Sequence, residues 1–123
     1  MKELIFKVIL IVALFISSVS FAQGINKTSL LNELNKTYGV ELNTDEKANY
    51  ENANSTLVSE LFSLDEKNLS KENRDKEIDK LFDKRDKTLT STLGINKYSD
   101  IKAVTNDKTT ETVQKVKQAK IVP

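Results

Sequence analysis

The sequence predicts an all-α protein, a thin bundle of three to four helices built around a long antiparallel helix hairpin. Three observations predict it. Glycine and proline, the usual helix breakers, number only three and one. Apolar residues recur at three- and four-residue steps and nowhere alternate with polar ones long enough for a strand pair. Capping residues stand at the start of the apolar stripes, and glycines close two of them.

Residues 1–22 read as a cleaved signal peptide, outside the fold. Lys2 and Lys7 make the start basic, and "VILIVALFI" (Val8 to Ile16) is an apolar run too short to span a bilayer comfortably. "SSVSFA" then puts Ser20 and Ala22 at the −3 and −1 places of a signal-peptidase site. The expected product is an exported protein that starts at Gln23, periplasmic or secreted. Cysteine is absent, so neither a lipid-anchored cysteine nor a disulfide is available to it.

The first helix is expected over 28–38. Leu30, Leu31, Leu34 and Tyr38 share a face, and Gly39 closes it as a C-terminal cap. Asn43 opens the second helix, with Glu46 three residues on completing a capping box and Asp45 favouring the positive end of the dipole. Tyr50, Ala53, Leu57, Leu61 and Leu64 carry that helix to about residue 65, with Val58 and Phe62 widening the stripe.

Ser70 caps a third helix in which 13 of the 17 residues from Lys71 to Lys87 are charged, with both signs interleaved. Glu72–Lys76 and Asp83–Lys87 have the supportive four-residue spacing. Its apolar stripe, Ile78, Leu81, Phe82, Leu89 and Leu93, is interrupted by Arg85 and ends at Gly94. Asn96 caps a short fourth helix with Tyr98, Ile101 and Val104. Residues 23–104 form the expected domain. Residues 105–123 are expected to be a polar tail, marginally helical or disordered, since only Val113, Val116 and Ala119 keep helical spacing there.

Charge and composition narrow the function. Lys2, Lys7 and Glu3 leave with the signal, which reduces 19 basic and 18 acidic residues to 17 of each. A neutral chain lacks the basic field that nucleic acid or anionic lipid needs, so no nucleic acid is expected as a partner and no obligatory membrane binding after signal cleavage. With no histidine and no cysteine, the common ligands of zinc, copper and haem are missing, and Ser-His or Cys-His nucleophiles cannot be assembled. Carboxylates such as Asp79 and Asp83 lie on solvated, charge-balanced faces without a pocket to shift them. The chain is expected to be no enzyme and to take neither metal nor cofactor.

Two stretches resemble each other. "LNTDEKANY" (Leu42 to Tyr50) aligns without gaps on "LGINKYSDI" (Leu93 to Ile101), and both align on "LTxEQxxxY". This resembles the twice-occurring LTxxQ signature of the Spy/CpxP-like periplasmic proteins. Leu42 and Leu93 keep the leucine. Asn43 and Gly94 stand at the threonine place, and Glu46 and Lys97 stand at the glutamine place. The charged "LSKENRDKEIDKLFDKRDKTL" between them resembles the family's helix, and the likeness spans roughly residues 40–104.

The resemblance implies a curved antiparallel dimer that shields unfolding or aggregation-prone clients without ATP, with Glu46 and Lys97 able to pair if the two turns meet. Tyr50, Leu57, Leu61, Phe62, Phe82 and Leu89 are the candidate client surface, with core or dimer seam as the plainer role for each. The rival expectation is a small structural or adhesion-associated envelope protein that binds one dedicated partner through its helices. A third is an inhibitory subunit of an envelope stress sensor.

Overall fold

The computed structural model describes residues 24–123, so the signal-peptide segment 1–22 and Gln23 lie outside the described residues. A two-residue strand β1 (Ile25–Asn26) leads into α1 (Lys27–Leu34). α2 (Thr44–Leu64) runs on into a 3-10 turn (Asp65–Lys67). α3 (Lys71–Leu93), α4 (Ile95–Gln118) and a second two-residue strand β2 (Ile121–Val122) complete the chain. Among the described residues the protein is an all-α bundle of four helices, in which α2 and α3 form the long antiparallel hairpin and α4 returns along α3.

Local chemistry sets most boundaries. Asn43 Oδ1 accepts from Glu46 N at 2.8 Å while Glu46 Oε1 accepts from Asn43 N at 2.9 Å, so the capping box at α2 is closed both ways. Asn68, with φ 53°, turns the chain after the 3-10 turn, and the Ser70 hydroxyl accepts from Asn73 N at 3.2 Å to start α3. Gly94 separates α3 from α4 at φ 88° and ψ 151°, a conformation almost confined to glycine. The Glu72–Lys76 pair closes to 3.6 Å, whereas Asp83–Lys87 forms no ion pair among the described residues.

Three expectations are corrected. α1 stops at Leu34 rather than at residue 38, because a buried side chain of α2 ends it: Asn54 Nδ2 donates to Leu34 O at 3.0 Å and to Asn35 Oδ1 at 2.8 Å. Gly39, at φ 93°, then serves a turn rather than a helix cap, and Tyr38 stands exposed beside it at φ 48°. The fourth helix starts at Ile95 after Gly94, with Asn96 inside its first turn rather than capping it. It does not stop near residue 104 but runs through the expected tail to Gln118, because Thr105, Thr112 and Val116 are buried against its neighbours. The Thr105 and Thr112 hydroxyls donate to the carbonyls of Ile101 and Lys108, four residues back. Finally, β1 and β2 pair in parallel, Ile25 opposite Ile121, with all four helices forming the crossover.

The core divides in two along the bundle. Leu30 and Leu34 of α1, Leu57, Leu61 and Leu64 of α2, and Ile78 and Phe82 of α3 gather at one end with Val116 and Ile121. Tyr50, Ala53, Leu89, Tyr98 and Ile101 gather at the other, where α2 and α4 start and α3 ends.

Candidate functional site

The two similar stretches meet. Both open helices that begin at the same end of the bundle, so Leu42 and Leu93 pack on one cluster with Tyr50 and Ile101. Lys97 Nζ donates to Glu41 O at 3.1 Å and stands 3.9 Å from Glu46 Oε1, the oxygen that also caps α2. The pairing of Glu46 with Lys97 expected from the sequence is therefore formed. The pair is partly exposed and contributes at most about 1 kcal/mol.

Beneath this meeting point lies a buried polar cluster. Arg85 replaces an apolar residue on the inner stripe of α3 and is only 5% exposed. Its Nε donates to Asn54 Oδ1, its Nη2 donates to Tyr50 OH at 3.3 Å, and its guanidinium lies 5.6 Å from the Tyr50 ring centroid. Asn54 joins this cation to the end of α1. Asp86 stands 3.9 Å from Arg85 Nη1 and 3.9 Å from Lys102 Nζ, and accepts a hydrogen bond from Tyr98 OH. One carboxylate is thus shared by two cations and a phenol.

Burial pushes the Tyr98 phenol far above its ordinary value, Arg85 opposes this, and the bond to Asp86 adds to the rise. Burial also raises Tyr50, again opposed by Arg85. Both phenols stay protonated at neutral pH and act as fixed hydrogen-bonding groups. The arrangement holds α2, α3 and α4 in one register and ties the end of α1 to them, which is a positioning role.

The six candidate client residues lie mostly inside. Tyr50, Leu57, Leu61, Phe82 and Leu89 are buried core side chains, and only Phe62 is half-buried, with Lys27 Nζ 4.6 Å from its ring centroid. Of the motif residues, Leu42, Glu46, Lys97 and Leu93 are half-buried, while Asn43 and Gly94 are exposed. Asn54 and the half-exposed Asp86 complete the cluster without a role read for them in the sequence, and Tyr98, read there as a stripe residue, adds its hydroxyl. A lone arginine inside an apolar stripe was the signal that could have found them, since a buried guanidinium needs acceptors.

Among the described residues, three open grooves flank the bundle. One of about 480 Å³, between α3 and α4, is lined by Asp79, Asp83 and Thr109, so these carboxylates border a groove that the sequence did not lead one to expect. Another, of about 570 Å³, lies between α1 and α4, and its charged lining pairs internally: Lys36 with Glu33 at 3.0 Å, Lys115 with Glu111 at 3.6 Å. The third, of about 190 Å³, lies on the outer side of the α2–α3 hairpin over Ala53, Leu57, Leu81 and Arg85. Among the described residues no helix is long and apolar enough to cross a membrane. Comparison with protein-family models, with curated proteins and with solved structures finds no match.

Proposed function

We propose that the protein is an exported, ATP-independent holding protein of the Spy/CpxP kind, which keeps unfolding polypeptides from aggregating in the cell envelope. The observation that carries this reading is the meeting of the two motif copies, with both leucines on one apolar cluster and Glu46 against Lys97. The antiparallel topology brings the starts of α2 and α4 to one end, and there the two copies add their leucines to the same cluster and opposite charges to the same turn. Interleaved charge along α3 supports the same reading, because it keeps a protein with a bound apolar client in solution.

A second reading is favoured by one observation. Five of the six expected client residues are buried, so the folded chain offers little ready apolar surface. A dedicated envelope partner, structural or regulatory, needs only an ordered surface.

Light scattering of two unrelated, heat-unfolding clients, without nucleotide, separates the readings. Near-stoichiometric protein is expected to slow both. A well-folded protein that protects neither client, yet captures a single envelope protein, would replace the holding reading with the dedicated one. The intact mass of exported protein tests the address: it is expected to begin at Gln23.

A further inference from the structure

The outer groove of the α2–α3 hairpin differs from the surface around it. α3 is crowded with charge from Lys71 to Lys87, yet the walls of the groove are Asn49, Asn52 and Thr56 from α2 and Thr88 and Thr92 from α3. Lys84 and Glu60 close one end and neutralise each other at 2.9 Å. Among the described residues the five wall side chains have no hydrogen-bond partner within the chain, in contrast to Thr90, whose hydroxyl donates to Asp86 O at 2.8 Å. The floor is apolar, formed by Ala53, Leu57 and Leu81 with Arg85 beside them.

We propose that this groove binds an uncharged, extended stretch of another polypeptide, and that it is where the holding activity proposed above engages its clients. Three features select that occupant. Size is the first: about 190 Å³ admits side chains, while a helix about 10–12 Å across cannot sink into it. An extended segment directs every second side chain to one face and so can set small apolar groups on the floor. The second is hydrogen bonding. Asparagine amides and threonine hydroxyls both donate and accept, which matches the unpaired N–H and C=O groups of an extended backbone. The third is charge. Neutral walls cost little to desolvate. A charged segment buried there would find no free counter-charge, because Lys84 pairs with Glu60 and Arg85 is engaged by Asn54, Tyr50 and Asp86.

The test is an anisotropy titration of the purified protein with a labelled, end-capped eight-residue peptide that has valine at alternate positions and serine between. The wild type is expected to bind. Thr56→Glu/Thr88→Glu changes two exposed positions and is expected to weaken binding at least tenfold, with an unchanged melting curve. Thr56→Lys/Thr88→Lys should do the same, which separates desolvation from repulsion. Ser63→Glu/Ser91→Glu, exposed positions outside the groove, should bind as the wild type does.

A wild type that does not bind the peptide, or a groove variant that binds undiminished, overturns the inference. If the groove variants instead alter the sedimentation of the protein by itself, the occupant is a second copy of the chain and the inference likewise falls. Peptide binding without protection of unfolding clients would remove the holding reading and leave the groove. Protection that survives the groove variants would do the reverse.

Discussion

At the end where the two similar stretches meet, the core is built of groups that fit in one orientation, while at the opposite end it is built of side chains that fill volume. Arg85 satisfies Asn54 and Tyr50, Asn54 satisfies the end of α1, and Tyr98 satisfies Asp86. Neither Arg85 nor Asn54 can be replaced by another residue of similar size without stranding a buried partner. The opposite end is mainly Leu, Ile, Val and Phe, and its specificity sits at its margin. There Asp65 and Arg74 bond at 2.7 Å, Asp65 accepts from Ile121 N, and Arg74 donates to Val116 O and Ala119 O. Directional bonds thus specify register inside one end and fasten the chain's last turn at the other. In a bundle with so few apolar residues and no disulfide, neither device alone would hold one arrangement.

The comparison can be broken most forcefully at the aliphatic end. Leu61→Ala removes a side chain that is 1% exposed and is expected to cost about 4 kcal/mol, while Leu61→Met should cost under about 1.5 kcal/mol. Urea denaturation of both variants checks this. A methionine as damaging as alanine would mean that this end, too, demands one shape.

Alkali should act on the hydrogen-bonded end. Tyr98 and Tyr50 have raised folded values, so their contribution is complete below the ordinary tyrosine value of 10.0 and is lost as pH rises towards the folded values. The unfolded phenols ionise first. Stability should therefore fall above pH 10 by about 1.4 kcal/mol per pH unit for each such phenol. Tyr98→Phe should flatten the fall in melting temperature between pH 10 and 12. A slope unchanged by Tyr98→Phe would detach the phenol from the stability of this end.

Asn54→Leu keeps the branching and the number of side-chain heavy atoms and should still cost about 3 kcal/mol, because it strands the Arg85 guanidinium and the Leu34 carbonyl together. Thermal melts of Asn54→Leu against Leu61→Met are the most direct contrast between the two ends. Equal losses would erase the distinction.

Gly94→Val probes backbone rather than side chain. A Cβ there meets no atom within 4 Å, so the expected loss of about 2 kcal/mol comes from the positive φ alone. Gly94→Ala should lose nearly as much, whereas a steric cause would spare alanine. The smallest change is Asn43→Ala, which opens the capping box of α2 and should cost about 1 kcal/mol in the same melts. A silent Asn43→Ala would show that packing at the meeting point fixes the start of α2 without its cap.

The sequence by itself determined what depends on neighbours in the chain. The start of α2 is written in Asn43 and Glu46, the start of α3 in Ser70, and the break between α3 and α4 in Gly94, because caps and positive-φ glycines act within about four residues. The apolar stripes, read the same way, named most of the core, and the paired stretches announced the meeting of Glu46 with Lys97. Tertiary structure decided what depends on distant partners. Asn54, 20 residues away, ended α1 early, and Arg74, 42 and 45 residues away, secured the end of an α4 whose own sequence is mostly polar. It also decided that the expected client stripe would be core and that the outer side of the hairpin would carry a neutral groove. Periodicity shows which residues share a face, and only the packed chain shows what that face meets.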